Sequence, residues 1–327
     1  MNTMLPPQTE GRCTDATRRV EVLLATFNGA DHLPALLASL EAQTWPDWQL
    51  LVRDDLSEDN TLAIVSEWGD RNPGRLRVLA SLGERLGPCG NFSRLLETTS
   101  AQYVAWCDQD DVWIQDRLAL SIEAMLQAEA ENPTGHPILV HTDLEVVDSN
   151  LKSLSSSFRA YSGLRAPKDA VDLALRNTVT GCTVTMNRAL VNLASPVPAG
   201  AAMHDWWAAI VAATFGSIVS LDQATVRYRQ HSANEIGAKR RSRRSAVRKA
   251  LRFWDATELR EGMMESARQA DAFEAVFGER IPNEVRVRLR SIATLSEQSA
   301  AGRRWSLFRY RLFAGTVFDR IGQLVRV

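Results

Sequence analysis

Trp106-Cys107-Asp108-Gln109-Asp110-Asp111-Val112-Trp113 closes an apolar run that begins at Tyr103. A short, continuous apolar run of this kind reads as a strand buried on both faces, as in a parallel sheet. Open α/β sheets bind ligands just outside the carboxyl ends of their strands, which is where Asp108, Asp110 and Asp111 fall. Carboxylates crowded there repel one another unless a cation sits between them. The plain alternative is a solvated acidic turn that caps the next helix.

Working outward, the same rhythm recurs. Val20 to Phe27 reads as a buried strand, followed by Asn28-Gly29-Ala30 and a helix from about Asp31 to Gln43, with Asp31 as its predicted N-cap. Trp48 to Arg53 is a second strand ending in Asp54-Asp55-Leu56-Ser57, and a helix from about Glu58 to Arg71 stops at Asn72-Pro73-Gly74. Leu76 to Ala80 is a third strand, and a helix starts near Asn91. This β-α-β-α alternation predicts a parallel sheet with right-handed crossovers.

Beyond Arg117 a long amphipathic helix runs to about Glu131. Shorter strands are expected at 138–140, 183–186, 217–221 and 225–230, with a helix at 204–215. The stretch from Ser153 to Lys168 reads as loop-rich, and Gly237 to Arg244 as a basic linker before further helices.

Composition bounds the class. With 327 residues the chain has room for one α/β domain of about 200–250 residues and an appendage. The formal net charge of -1 hides an asymmetry: residues 1–238 carry 18 Lys+Arg against 29 Asp+Glu, and residues 239–327 carry 20 against 10. An acidic body with a basic tail suggests two jobs. The body's acidity and the lack of a binding motif argue against nucleic acid as partner.

The four cysteines form no C-x-x-C pair, which predicts reduced thiols in a cytoplasmic protein. The first 17 residues are polar and read as disordered. They lack the apolar core of a signal peptide, and no run reaches the about 18 apolar residues of a membrane span.

Two acidic turns ending parallel strands can converge on one cleft. One carboxylate there can accept from a ribose or a pyrimidine imide, and others can hold Mg²⁺ or Mn²⁺. A dinucleotide site is excluded because F-N-G-A, not G-x-G-x-x-G, follows the first strand. Met203-His204-Asp205-Trp206-Trp207 puts a carboxylate at a helix start beside large rings. That placement suits either a general base of raised pKa or a simple helix cap. In Tyr228-Arg229-Gln230-His231, a cation and an imidazole end a strand before a basic segment, which suits a flap closing on diphosphate.

Taken in order, V-L-L-A-T-F-N-G, S-L-E-A-Q-T-W, R-D-D-L-S-E-D-N-T, N-F-S-R-L-L, C-D-Q-D-D-V-W, T-G-C-T, M-H-D-W-W and Y-R-Q-H-S-A-N resemble the family 2 inverting glycosyltransferases of the GT-A fold, closest to their rhamnosyltransferase-like branch. The resemblance covers about Arg19 to Lys239. It implies an α/β fold of GT-A type (the nucleotide-diphospho-sugar transferase fold): a mixed, mainly parallel sheet flanked by helices over residues 18–239. A basic C-terminal α-helical extension follows over 240–327.

The implied activity is metal-dependent transfer of a sugar, with rhamnose from dTDP-rhamnose as one candidate, from a nucleotide-diphosphate donor to a saccharide or lipid-linked saccharide in cell-surface polysaccharide biosynthesis. By position, Thr26, Asn28, Asp54, Asp55, Asn91 and Asp108 would bind the nucleotide. Asp110, Asp111 and His231 would bind Mn²⁺ or Mg²⁺, and Arg229 the diphosphate. Asp205 would be the catalytic base, and Trp113, Gly181, His204 and Trp206 would contact acceptor or sugar.

One departure stands out. The usual D-D-G-S has become Asp54-Asp55-Leu56-Ser57, so a turn that exploits glycine's positive φ is expected to change in detail. Rival readings are a nucleotide-sugar hydrolase or nucleotidyltransferase, and an inactive nucleotide-sugar-binding module. The basic, aromatic tail predicts either peripheral contact with the inner face of the membrane or a helical cap on the domain.

Overall fold

In the computed structural model, residues 18–81, 83–164, 167, 169–230, 256–295 and 297–312 are described. The first strand, β1 (Val20–Thr26), pairs in parallel with β2 (Trp48–Asp54) and with β4 (Tyr103–Asp108), and β2 pairs with β3 (Leu76–Leu79). Between them run α1 (Leu33–Glu41), α2 (Thr61–Arg71) and α3 (Gly87–Thr98). The alternation expected from the apolar runs is therefore present, and both faces of β1, β2 and β4 are buried. Leu23, Leu51 and Trp106 join one core layer, while Val22, Leu24, Leu50, Val52 and Cys107 join the layer on the opposite face.

The second half continues with β5 (Val112–Trp113), α4 (Arg117–Glu131), β6 (Ile138–Val147), β7 (Ser153–Ser155), α5 (Phe158–Ser162) and α6 (Ala170–Leu175). Then come β8 (Thr185–Asn187), α7 (Arg188–Ala194), α8 (His204–Phe215) and β9 (Ser217–Arg229). The strands make one sheet in the order β3-β2-β1-β4-β8-β6-β9-β5, with β7 paired to β6. β8 runs antiparallel to both β4 and β6, and β9 is parallel to β6, so the sheet is mixed but mainly parallel.

Four expectations on element bounds are corrected. β6 spans ten residues rather than three. The two strands expected at 217–221 and 225–230 are one strand, β9, whose register against β6 shifts near His141 and Asp143. The polar pair Asp222-Gln223 looks like a turn but is absorbed by that irregularity, as a β-bulge absorbs an extra residue. Finally, α3 begins at Gly87 rather than Asn91, with Pro88 in its first turn; proline is favoured there because that amide has no helical partner. α1 opens on Leu33-Pro34 after His32, so Asp31 is not its cap.

The tail is not a separate body. Helix α9 (Ala256–Phe277) sets Phe273 and Phe277 against Trp207 of α8 at 5.6 and 5.7 Å between ring centres, and both rings also meet Phe215. Leu289 of α10 (Asn283–Ala293) and Leu307 of α11 (Ala300–Arg309) belong to the same buried cluster. The helical cap anticipated for the tail is thus present, although Trp305 and Phe308 remain 59 % and 62 % exposed on α11. The boundary at 240 and residues 1–17 lie outside the described residues. Among the described residues, no helix is long and apolar enough to cross a membrane.

Candidate active site

Strand register brings the acidic turns together. Thr26 lies opposite Asp54, and Ala25 opposite Asp108, so β1, β2 and β4 end on one edge, with Asp54 and Asp108 on either side of β1. Asp54 accepts three hydrogen bonds within the protein. Thr26 Oγ1 donates to it at 2.7 Å, Ser57 Oγ at 2.6 Å and Ser57 N at 2.7 Å. Asn28, with φ +44°, donates its N–H to Ser57 Oγ and accepts from Glu58 N. Thr26, Asn28 and Asp54 therefore shape the edge of the cleft by tying β1 to the turn after β2.

Leu56 adopts φ +65° in that turn. The conformation that glycine would supply freely is retained, at a cost of about 1–2 kcal/mol for a side chain in the left-handed region.

Asp55 is buried and accepts from Arg53 Nη1 at 3.0 Å, Leu86 N at 2.8 Å and Gly87 N at 2.9 Å. The same Arg53 nitrogen donates to Asn91 Oδ1 at 2.7 Å. Arg53 was missed from sequence; an arginine one residue before the end of an otherwise apolar strand was the available signal. Gln109 was missed too. Its side chain accepts from Phe27 N and donates to Phe27 O, both at 2.9 Å, stitching the D-Q-D-D turn to the turn after β1.

The D-Q-D-D turn carries the strongest electrostatics. Asp111 is wholly buried and accepts from Arg229 N at 3.3 Å and from the Cys182 thiol. Burial, reinforced by the charges of Asp110 and Asp108, pushes its carboxyl well above the usual range. One of its oxygens, Oδ2, is buried with no hydrogen-bond partner among the described residues. Ligand atoms of Asp108, Asp111 and Cys182 lie within 4.8 Å of one another. Burial and the Asp111 charge raise the thiol well above its ordinary pKa, so it acts as a neutral donor. The two carboxylates with an unsatisfied oxygen fit a hard divalent cation.

Arg229, expected on diphosphate, spends Nε on Asp110 O at 2.9 Å and Nη1 on Ser149 O at 2.7 Å. It positions the acidic turn. His231 lies outside the described residues.

Asp205 sits in the first turn of α8. Its Oδ2 accepts from Gly181 N at 3.1 Å and Oδ1 from Trp206 N at 2.6 Å, with Asn177 as a further side-chain partner. Burial raises its pKa to about 6, partly offset by those donors. The decisive link is the 3-10 turn Gly181–Thr183. Gly181 touches Asp205 and the next residue, Cys182, touches Asp111, so one tight turn brings the candidate base and the acidic cluster to one place.

A Cβ on Gly181 would lie 3.3 Å from both Asp205 Cβ and His204 Nε2. Gly181→Ala is expected to displace Asp205 and cut turnover roughly tenfold, since a shift of about 1 Å can cost more than that. Unchanged kcat in a steady-state assay would contradict this.

Three expected acceptor contacts turn out to be packing residues. Trp113 is 3 % exposed and lies under the Arg117 guanidinium, 3.5 Å from its ring centre. Trp206 is buried with its indole N–H on Leu173 O. The His204 ring stacks on Phe92 at 4.1 Å and meets Trp106 edge-on at 4.7 Å, and burial holds its pKa down near 3. Large rings next to a polar motif suggested sugar stacking, but the helix and sheet turn them inward.

Residues 21–172 match the domain family described as Glycosyl transferase family 2. The chain is 29% identical over 174 residues to the UDP-Glc:alpha-D-GlcNAc-diphosphoundecaprenol beta-1,3-glucosyltransferase WfgD of Escherichia coli, covering 53% of this chain and 62% of that protein. It is 26% identical to the dTDP-rhamnosyl transferase RfbG of Shigella flexneri, over 66% of this chain and 74% of that protein. In three dimensions it resembles S. aureus TarS 1–349 solved with UDP-GlcNAc: TM-score 0.56, 15% identity, 94% of this chain and 89% of that one. It also resembles the mannosyltransferase PcManGT of Pyrobaculum calidifontis, solved with GDP-Man and Mn2+: TM-score 0.54, 18% identity, 90% and 73% covered. At those identities the structural likeness bears on the fold, which is of GT-A type.

Proposed function

The chain carries a glycosyl transferase family 2 domain over residues 21–172, and from that premise we propose that it transfers a sugar, with inversion, from a nucleoside diphosphate donor to a saccharide or lipid-linked acceptor. The observation that carries this reading is the turn Gly181–Thr183, which ties Asp205 to Asp111 through adjacent residues. A base and a diphosphate-facing acidic cluster at one rim are what a single in-line displacement requires.

Asp205 takes the proton from an acceptor hydroxyl. That oxygen attacks the anomeric carbon while the bond to the nucleoside diphosphate breaks on the opposite face, so no covalent intermediate forms. Asp108 and Asp111 would hold Mn²⁺ or Mg²⁺, with Asp110 and His231 as further candidate ligands, and a divalent ion there would neutralise charge on the leaving diphosphate. Asp55, beside Arg53 and Asn91, would accept from the base. The two sequence relatives are named for UDP- and dTDP-linked donors, and both uracil and thymine present an imide N–H to such a carboxylate. The rhamnosyltransferase resemblance and the Shigella relative support dTDP-rhamnose as the first donor to try.

A lipid-linked acceptor in cell-surface polysaccharide synthesis suits the tail. Exposed Trp305 and Phe308 on α11, within a segment of ten excess positive charges, support peripheral contact with anionic lipid on the cytoplasmic side.

Asp108→Asn tests the donor site. In wild-type protein, Mn²⁺ is expected to tighten UDP or dTDP binding measured by calorimetry. The variant should lose roughly 10–100-fold in that metal-dependent affinity. Equal nucleotide affinity with and without metal in the wild type would remove the metal from the reading. Release of free sugar as the main activity, with acceptor present, would favour a hydrolase.

A further inference from the structure

The nucleotide edge of the cleft holds a side chain that the proposed chemistry does not use. Arg85 sits over the Phe27 ring, its guanidinium carbon 3.6 Å from the ring centre, and its Nε is 4.0 Å from Asp55 Oδ2. At 3.6 Å the two groups are in van der Waals contact, so no further ring fits between them. The Arg85 side chain is 57% exposed, while the Asp55 carboxylate is almost wholly buried at 2%.

The hydrogen bonds of Asp55 show what this position is for. A carboxylate offers about four lone-pair directions. Arg53 Nη1 and Leu86 N take two on Oδ1, and Gly87 N takes one on Oδ2. One direction on Oδ2 is left, and the nearest remaining donor is Arg85. The guanidinium thus covers both features that a planar heterocycle with an N–H edge would use: an aromatic face at Phe27 and a single free acceptor on Asp55.

We propose that Arg85 is a built-in stand-in for the pyrimidine base, occupying the base position until a nucleotide displaces it. This rests on the reading of the site as a pyrimidine nucleotide pocket. The backbone need not rearrange, since the amides of Leu86 and Gly87 keep their bonds to Asp55 while the exposed side chain swings away. Arg85 therefore sets donor affinity without touching the donor: it lowers the fraction of protein competent to bind, and the apparent dissociation constant rises in proportion. The competing contact is a partly exposed cation–π pair plus a long, exposed ion pair, each individually weak.

The test is calorimetry of full-length wild type and Arg85→Ala with UDP, dTDP and inorganic pyrophosphate. The expected result is a roughly three- to tenfold tighter Kd for UDP and dTDP in the variant, with pyrophosphate unchanged. Arg85→Lys, which keeps the charge but cannot lie flat, should fall between. Unchanged or weaker UDP binding in Arg85→Ala overturns the inference, since a residue that clamps the base would give that result. Equal tightening for pyrophosphate also overturns it, because the effect would then be general rather than at the base. Failure of UDP and dTDP to bind either protein overturns the pyrimidine-pocket reading itself, and the inference with it.

Discussion

Asp205→Asn is expected to lower turnover by roughly 10²–10⁴-fold, the span of general-base catalysis, while UDP affinity stays within about twofold of wild type. The substitution keeps the shape of the side chain and removes its ability to take a proton, together with one of the two backbone hydrogen bonds, because an amide nitrogen cannot accept. Asp55 and Asp108, the carboxylates proposed to bind the donor, lie on other elements and are untouched. The pH dependence supplies a second signature. Burial raises the Asp205 pKa to about 6, so wild-type kcat should climb with pH up to about 6 and level off above it, as the carboxylate becomes able to accept. The residual rate of the variant should lack that limb.

The sign for stability runs the other way. A carboxyl whose folded pKa is raised favours the folded state when protonated, and that contribution is lost as pH rises through about 6. A near-normal rate in Asp205→Asn, measured with saturating donor, would remove Asp205 from the mechanism.

Arg117→Ala is expected to destabilise the fold by about 3–5 kcal/mol, read as a lower midpoint in urea denaturation at unchanged m. Arg117 is wholly buried at the start of α4. Its Nη2 donates to Trp106 O at 3.2 Å and Cys182 O at 2.6 Å, and its plane covers Trp113. Burial lowers its pKa to about 10, with Cys107, Cys182, Asp111 and Asp108 opposing the shift, so it stays charged at neutral pH. Removing it strands two buried carbonyls, each costing about 1–3 kcal/mol, takes away a positive charge that interacts with Asp111 and Asp108, and opens a cavity. Arg117→Met restores most of the volume but neither hydrogen bond, and should recover about half of the loss. A change below about 1 kcal/mol for Arg117→Ala would show that the strand end and the Gly181–Thr183 turn do not depend on this cation. Because that turn also holds Asp205 through the Gly181 N–H, activity should fall with stability.

Much of the site was legible before any coordinates. Asp54, Asp55, Asp108, Asp110, Asp111 and Asp205 stand out because acidic residues at strand ends and helix starts break an apolar pattern. The roles within that set were less legible. Asp54 is spent on Thr26 and Ser57, and Arg229 on the carbonyls of Asp110 and Ser149. Trp113, His204 and Trp206 carry the right chemistry for a sugar surface but face the core. A motif names a residue type, not the direction of its side chain.

Period and punctuation in the chain were enough to determine the alternating strands and helices, the parallel half of the sheet and the edge on which its carboxylates gather, because those follow from interactions a few residues long and from burial of both sheet faces. Only the tertiary structure decided that the basic tail closes the core through Phe273 and Phe277, that Gln109 binds Phe27 across 82 positions, and that Gly181 and Cys182 join base to acidic turn. Those contacts depend on where distant backbone segments come to rest, and no local pattern encodes that.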